Sequence, residues 1–297
     1  MFHNSVLLEE SIRALAIRPE GIYVDATFGG AGHSRAILKE LHGGKLFAFD
    51  QDEDAIVNKP EDERLTLIHN NFRHLRNFLK LYKAVPVDGI LADLGISSHQ
   101  IDNPERGFST RFEGVLDMRM NRDKKVSARE VVNEYKEDKL MAIFREYGEL
   151  HNAMKITRLI ITGRKEKQIT TTEDLKTVLM PAADRGKENK FFAQVFQALR
   201  IEVNQELDAL KEFLVQATDV LKQGGRLVII SYHSLEDRLV KEYFRSGNFS
   251  GIIDKDFYGN PIVPLKVLNR KPVVATKEEI ALNSRARSAR LRIAEKL

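Results

Sequence analysis

Residues able to do chemistry gather first between Tyr23 and Ser34, where the chain reads Tyr-Val-Asp-Ala-Thr-Phe-Gly-Gly-Ala-Gly-His-Ser. An apolar strand that ends on an acidic residue and turns through glycines brings backbone close to a ligand, because glycine lacks a Cβ and accepts positive φ. Amides at the start of a helix opening near Gly32 then face the same crevice. A second apolar run, Leu46-Phe47-Ala48-Phe49, ends at Asp50. A carboxylate in that place accepts hydrogen bonds from ribose hydroxyls. Together the two segments point to a nucleoside-containing cofactor. The dinucleotide fingerprint Gly-x-Gly-x-x-Gly is incomplete, since Arg35 stands where its third glycine is required.

Asp25-x-x-x-Gly29-x-x-Gly32 with an acidic second strand looks more like the class I methyltransferases that bind S-adenosylmethionine, although Thr27 occupies the place of that motif's usual first glycine. Asp93 then closes a fourth apolar run and is followed by Leu-Gly-Ile-Ser-Ser-His-Gln. In amino-group methyltransferases this place holds a hydrogen-bond acceptor for the target amine. An exocyclic amine on cytosine or adenine needs one, because its lone pair is delocalised into the ring. The prolines and aromatic that usually follow are missing, so Asp93 alone leaves the methyl acceptor open.

Other constellations carry weaker chemistry. Arg106, Arg111 and Arg119 can pair with phosphates and Phe108 or Phe112 can stack on a base; the bland alternative is a structured loop whose arginines bond carbonyls. Ser231-Tyr-His-Ser-Leu-Glu-Asp-Arg238 follows a fifth strand. Here Ser231 or Ser234 can cap a helix, and His233 is a substrate contact or weak general base. No Gly-x-Ser-x-Gly elbow supports a hydrolase. Asp50, Asp52, Asp54 and Glu61 have calcium-loop spacing, but Ala55 replaces the required glycine and a strand precedes Asp50. The histidines show no ligand-like clustering, so no metal is expected.

The elements that must position these groups alternate in the first third of the chain. Strands are expected near 22–26, 45–49, 65–69 and 87–93, with helices at 32–41, 52–58 and 72–82 between them. Such alternation predicts a parallel sheet covered by helices, with ligands at the carboxyl ends of its strands. Residues 94–122 read as a long irregular and therefore functional loop. From Ser127 to about Leu221 the pattern is helical, and Phe191, Phe192, Val195, Phe196, Leu199 and Val203 form a stripe that reads as core. Strand character returns at Arg226–Ser231, with a helix at 235–244 and strand-like pieces near Ile252 and Val263–Leu268. The domain reading is a Rossmann-like α/β domain of residues 1–112 and 208–297, interrupted by an inserted all-helical domain of residues 113–207.

At 297 residues, 42% hydrophobic and 30% charged, the chain suits a soluble globular protein. It has no cysteine, which excludes disulfides, thiolate zinc sites and cysteine nucleophiles. No secretory signal or membrane span is evident, so a cytoplasmic protein is expected. The net charge is +4, and Asn283–Leu297, with five cations against Glu295, carries a surplus equal to it. A basic segment of this kind suits phosphate contacts or is a solvated face.

Several segments together resemble one family over essentially the whole chain: His3–Leu8, Asp25–Ser34, Asp88–Ser98, Glu105–Ser109, Leu116–Met120, Ser231–Arg238 and Ser284–Ser288. The chain is similar to the MraW family of ribosomal RNA small subunit methyltransferases. The resemblance implies S-adenosylmethionine as cofactor, N4 of a cytidine in the decoding region of 16S rRNA as methyl acceptor, and the 30S subunit as partner. It also implies that Ala31, Gly32 and His33 line the methionine end of the cofactor, Asp50 binds the ribose, Phe72 flanks the adenine, and Asp93 and Gln100 complete the pocket. His99 stands where relatives often have proline. Asp93 is the leading candidate for touching either the target amine or the methionine ammonium, and Asp117 and His233 are second-rank candidates for the base pocket. The helical insert, Arg106, Phe108, Arg119 and the tail with Arg285 and Arg287 are expected to hold RNA. Two alternatives remain: an NAD-linked oxidoreductase using the same crevice, and a non-enzymatic RNA-binding ribosome-assembly factor.

Overall fold

The computed structural model describes residues 5–297; His3 and Asn4 of the opening motif lie outside the described residues. The chain forms two compact units. One combines the chain up to Gly95 with Leu207–Leu297, and the other is Ile96–Glu206. In chain order, α1 (Leu8–Leu15), β1 (Ile22–Asp25), α2 (Gly32–Glu40), β2 (Lys45–Asp50), α3 (Glu53–Ile56), β3 (Leu65–His69), α4 (Leu75–Leu81) and β4 (Val87–Asp93) build the first half of the sheet unit. The helical unit follows with α5 (Ser98–Asp102), α6 (Ala128–Glu134), α7 (Glu137–Glu146), α8 (Ala153–Glu166), α9 (Thr172–Leu179) and α10 (Glu188–Asn204). Then come α11 (Glu206–Val220), β5 (Leu221–Ser231), α12 (Ser234–Ser246), β6 (Leu265–Val267), α13 (Lys277–Leu282) and β7 (Arg290–Lys296).

The sheet runs β3-β2-β1-β4-β5-β7-β6. β1 to β5 are parallel, and β7 enters antiparallel between β5 and β6. Strand parity divides the apolar residues between two faces. Val24, Phe47, Phe49, Ile90, Ala92, Leu227 and Ile229 face Leu75 and Leu79 of α4, Phe213 and Leu214 of α11 and Val240 of α12. The intervening residues Tyr23, Leu46, Ala48, Leu91, Val228 and Ile230 meet Leu15 of α1 and Ile37 of α2. Because both faces are covered, the central strands read in sequence as continuous apolar runs, and the four expected strands of the first third form where expected.

The helical unit has a core of its own. Its stripe Phe191, Phe192, Val195, Phe196, Leu199 and Val203 is buried against Val131, Ile143, Phe144, Ile156 and Ile160. Reciprocal caps set three helix starts: Ser97 with Gln100, Ser127 with Glu130, and Thr171 with Asp174.

Several expectations change. The first unit boundary falls at Gly95–Ile96 rather than at 112, because Ile96 and Phe108 pack into the helical core. Residues 94–122 contain α5 and a 3-10 turn at Pro104–Arg106. Ile252 lies in no strand and is exposed. The basic tail is not a free arm: residues 290–296 form β7, where Arg292 is buried and bonds Asp237 at 2.6 and 3.1 Å. Arg290 adds a bond of 3.0 Å to the same carboxylate. Burial works against a charge on Asp237, but the two guanidiniums outweigh it and hold the carboxyl below its ordinary range. Asp237→Ala therefore leaves Arg292 buried without a counter-charge and should cost about 3–5 kcal/mol in urea unfolding, whereas Asp237→Leu combined with Arg292→Met should lose far less.

Candidate active site

The parallel strands diverge at β1, with β2 on one side and β4 on the other, and a crevice opens outside the carboxyl ends at such a switch point. Backbone bonds lace these ends together: Ala26 N to Leu91 O at 2.8 Å, Phe28 N to Phe49 O at 2.8 Å and Leu94 N to Ile230 O at 2.9 Å. Thr27, which departs from the glycine expected at its place, has a structural task. Its Oγ1 accepts the Asp93 amide at 2.7 Å, so the end of β1 holds the end of β4.

The turn after β1 is shaped for close approach. Gly29 and Ala31 both have positive φ, at 49° and 64°. A Cβ added at Gly30 would meet nothing within 4 Å, whereas at Gly32 it would strike Ser5 Oγ. Asp25 is fully buried and accepts Ser34 Oγ at 2.6 Å and the Thr27 amide at 3.1 Å, which ties the turn to the first turn of α2. Asp50 accepts the amides of Gly29 and Asp52, each at 2.8 Å. Burial nevertheless pushes its carboxyl up to about 6. Asp52 in turn caps α3, accepting the Asp54 amide, so these acidic residues serve turns and a helix start.

Asp93 lies at the centre of this arrangement. The Tyr232 hydroxyl donates to its Oδ1 at 2.7 Å, and His33 Nδ1 lies 3.8 Å from its Oδ2. His33 Nε2 faces the Val6 carbonyl at 3.2 Å and must be the protonated nitrogen there, since a carbonyl only accepts. Burial pushes the ring down to about 4, so His33 is neutral near pH 7 and presents a lone pair toward Asp93. Burial pushes the Asp93 carboxyl up to about 7; the Tyr232 bond opposes that rise, and the charges of Asp25 and Glu236 reinforce it. The named charges acting on Asp93 are thus all acidic. Such a crevice is inhospitable to a pyrophosphate and suits a ligand bearing positive charge.

Tyr232 received no separate role from the sequence, and it is the main omission. Its signal was its place one residue beyond β5, but its partner is 139 residues away. Burial raises its own hydroxyl well above the ordinary range, so it remains a donor. His233, not either serine, is the cap of α12: its Nδ1 accepts the Glu236 amide at 3.4 Å, and its Nε2 lies 3.2 Å from the Glu236 carboxylate. Glu236 also accepts the Tyr232 amide at 3.0 Å, so His233 and Glu236 fix the turn that aims Tyr232. Phe72 is half-buried just beyond β3, its ring 5.1 Å edge-on from Phe213.

The sheet unit thus gathers Ala31, Gly32, His33, Asp50, Phe72 and Asp93 at the strand ends. Gln100 belongs to the helical unit, where its Oε1 accepts the Ser97 amide at 3.0 Å. In the same unit Arg106 is 2% exposed and donates to the carbonyls of Arg119 and Met120 at 3.0 and 3.2 Å. That burial corrects its expected role as a phosphate contact. Phe108, 6% exposed in the helical core, is likewise a packing residue rather than a base platform. Arg119 donates through Nε and Nη2 to Asp117, each at 2.8 Å, and through Nη1 to the carbonyls of Arg122 and Lys124. Burial raises the Asp117 carboxyl, but the Arg119 bonds prevail and keep it below its ordinary range, the signature of a structural pair. Arg285 and Arg287 sit on a 3-10 turn of the sheet unit, the first half-exposed and the second exposed.

Strand order, the antiparallel β7 between β5 and β6, and the acidic switch point define a Rossmann-like class I methyltransferase domain carrying a helical insertion. The family is equally definite: residues 1–297 match the model of the MraW methylase family, and the chain belongs to that family. A Christiangramia forsetii protein named ribosomal RNA small subunit methyltransferase H is 57% identical over 297 residues, covering 100% of this chain and 98% of that one. Proteins of the same name from Flavobacterium johnsoniae and Cytophaga hutchinsonii are each 55% identical and cover all of this chain.

Asp93 also makes a prediction about stability. Its folded pKa is raised, so its contribution is fully present below the unfolded value near 4 and is lost as pH rises through about 7. Asp93→Asn should therefore raise the melting temperature of the ligand-free protein at pH 8 by roughly 2–4 °C, with a smaller gain at pH 5.5. Equal effects at both pH values in calorimetry would refute a buried ionisation at this position.

Proposed function

We propose that this protein transfers the methyl group of S-adenosylmethionine to N4 of a cytidine in the decoding region of 16S rRNA, with the 30S subunit as the substrate particle. The observation that carries the reading is Asp93: a buried carboxyl at the switch point, one oxygen fixed by Tyr232 and the other beside a neutral His33. The names of the relatives support RNA as the acceptor class.

When bound, S-adenosylmethionine supplies an electrophilic methyl on a sulfonium. The residues present fit such a group: the turn at Gly29–Gly32 admits close approach, and Asp50 keeps unused lone pairs for ribose hydroxyls. Ala31, Gly32 and His33 would hold its methionine end, Phe72 would flank the adenine, and the acidic surroundings of Asp93 favour its positive charge.

The work of the chain is to position an amine and to receive a proton. Asp93, ionised, accepts a hydrogen bond from the exocyclic amine and turns its lone pair toward the methyl group. As the new N–C bond forms and the S–C bond breaks, the amine becomes cationic and Asp93 takes its proton. Tyr232 prevents the carboxylate from rotating away. Holding the reactants in line supplies much of the rate, with several kcal/mol available from orientation alone. The cytidine must leave its stack to enter. Arg285 and Arg287 remain candidates for backbone contacts, and His233 acts by holding the β5–α12 turn rather than as a base.

The direct test is transfer of labelled methyl to unmodified 30S subunits, followed by mapping of the modified nucleotide; label on N4 of one decoding-site cytidine is expected, and label elsewhere overturns the assignment. The acid limb of kcat/KM for S-adenosylmethionine should fall through about pH 7, where the free protein's Asp93 becomes protonated, and Tyr232→Phe should move that limb to higher pH by removing the bond that opposes the rise. Asp50→Ala should weaken S-adenosylmethionine binding about tenfold or more by calorimetry. Unchanged affinity would remove Asp50 from the ribose role.

A further inference from the structure

Two aromatic rings stand farther into solvent than any feature of the site accounts for. Phe257 is 97% exposed and Tyr258 is 85% exposed, at the tip of the excursion between α12 and β6. Single exposed aromatics are ordinary; an adjacent pair on a rigidly built tip is a different matter. Lys255 and Pro261 form an antiparallel bridge across its base, and the Ile262 amide bonds Asp254 O at 2.7 Å. The Asp256 amide donates to Asn260 O at 2.9 Å, and the Gly259 amide donates to Asp256 O at 3.0 Å. The Asp256 carboxylate then fastens the turn from inside. Its Oδ1 accepts the amides of Tyr258 and Asn260 at 2.9 and 2.8 Å, and its Oδ2 accepts Asn260 Nδ2 at 2.9 Å. Gly259 takes φ 85°, a conformation that side chains rarely adopt. The two rings meet edge to face with centroids 5.5 Å apart.

This tip spends its own hydrogen bonds on holding two apolar rings in water, and such order lowers the entropy lost when a partner arrives. The surrounding charge selects the partner. Over residues 254–271 the exposed cations Lys255, Lys266, Arg270 and Lys271 outnumber the carboxylates of Asp254 and Asp256, although Asp256 keeps its charge while fastening the turn. Lysine is depleted at the centre of protein interfaces. Basic residues interleaved with flat exposed rings suit unpaired bases, which stack on aromatics while cations follow the backbone.

We infer that the Asp254–Ile262 turn is an RNA-contact element, in which Phe257 and Tyr258 stack on unpaired bases of the substrate while Lys255 and the cations of 266–271 meet its phosphates. The inference rests on the proposed RNA methyltransferase activity, and it moves part of RNA recognition from the buried Arg106 and Phe108 to the sheet unit.

Both rings are exposed, so replacing them leaves the fold intact. The Phe257→Ala/Tyr258→Ala protein should show a KM for unmodified 30S subunits raised about tenfold or more, with kcat at saturation and S-adenosylmethionine affinity unchanged. Phe257→Leu/Tyr258→Leu should be equally impaired, because leucine keeps the apolar surface and loses the flat ring. Phe257→Tyr should behave as wild type. An unchanged KM in the alanine pair overturns the inference. So does full rescue by leucine, which would indicate an apolar protein contact, or a wild-type dimer that the alanine pair converts to monomer in light scattering. If wild type transfers no methyl to 30S subunits, the activity reading fails on its own. Filter binding of a single-stranded 16S rRNA fragment then still decides the tip: weaker retention of both double variants supports it, and equal retention overturns it.

Discussion

The tie between β1 and β4 is the constraint from which the ligand side of this molecule follows. The amide of Asp93 is bound to Thr27 Oγ1, the amide of Thr27 is bound to Asp25, and Asp25 is bound to Ser34 at the start of α2. One short chain of bonds therefore fixes the end of a strand, the apex of a turn and the first turn of a helix. The same chain brings the carboxyls of Asp25 and Asp93 into mutual influence where burial strengthens their repulsion. Burial is the main cause of the raised pKa of Asp93, and the charge of Asp25, held nearby by the turn, adds to it. A neutral histidine and a tyrosine that stays protonated are the compatible neighbours, and both are present.

Much of this was legible in residue order. A sheet covered on both faces writes itself as apolar runs between turn signals, so the first four strands and the helical stripe from Phe191 to Val203 were readable. So was the placing of Asp50 and Asp93 at strand ends, since a carboxylate that closes an apolar run can only lie at the rim of the sheet. What escaped was whatever depends on partners far apart in the chain. Arg106 and a phosphate-binding arginine look alike in sequence; only the fold surrounds Arg106 with the carbonyls of Arg119 and Met120. The same holds for Arg292, whose charge suggested a phosphate contact or a solvated face, whereas the fold sets Asp237 beside it. Tyr232 was passed over because its importance lies wholly in a contact with Asp93.

The helical unit also shows how a loop that reads as irregular becomes rigid. Gly107 takes φ 69°, and a Cβ there would strike the carbonyl of Val115. The Met118 amide bonds Arg106 O, and Asn204 holds both the Met118 carbonyl and the Met120 amide. Loops of this length without regular structure are uncommon unless functional. Here the length is used to complete the helical unit's core with Phe108, Leu116, Met118 and Met120, and Arg106 and Arg119 bond the carbonyls of the same segment.

The place of the insertion has a bearing on how the chain reaches this state. β4 and β5 are neighbours, with Ala92 beside Ile229, yet the helical unit Ile96–Glu206 separates them in sequence. Pairing them from an open chain means closing a loop of roughly a hundred residues, an entropic demand that slows sheet assembly. Asn204 and Arg106 each reach residues 118–120, so the two ends of the insert are stitched together inside their own unit. A prefolded insert shortens the effective tether between the two strands to the two residues after β4 and the α11 segment before β5. The helical unit would then serve as a folding scaffold, its own collapse setting the order in which the catalytic sheet can zip shut.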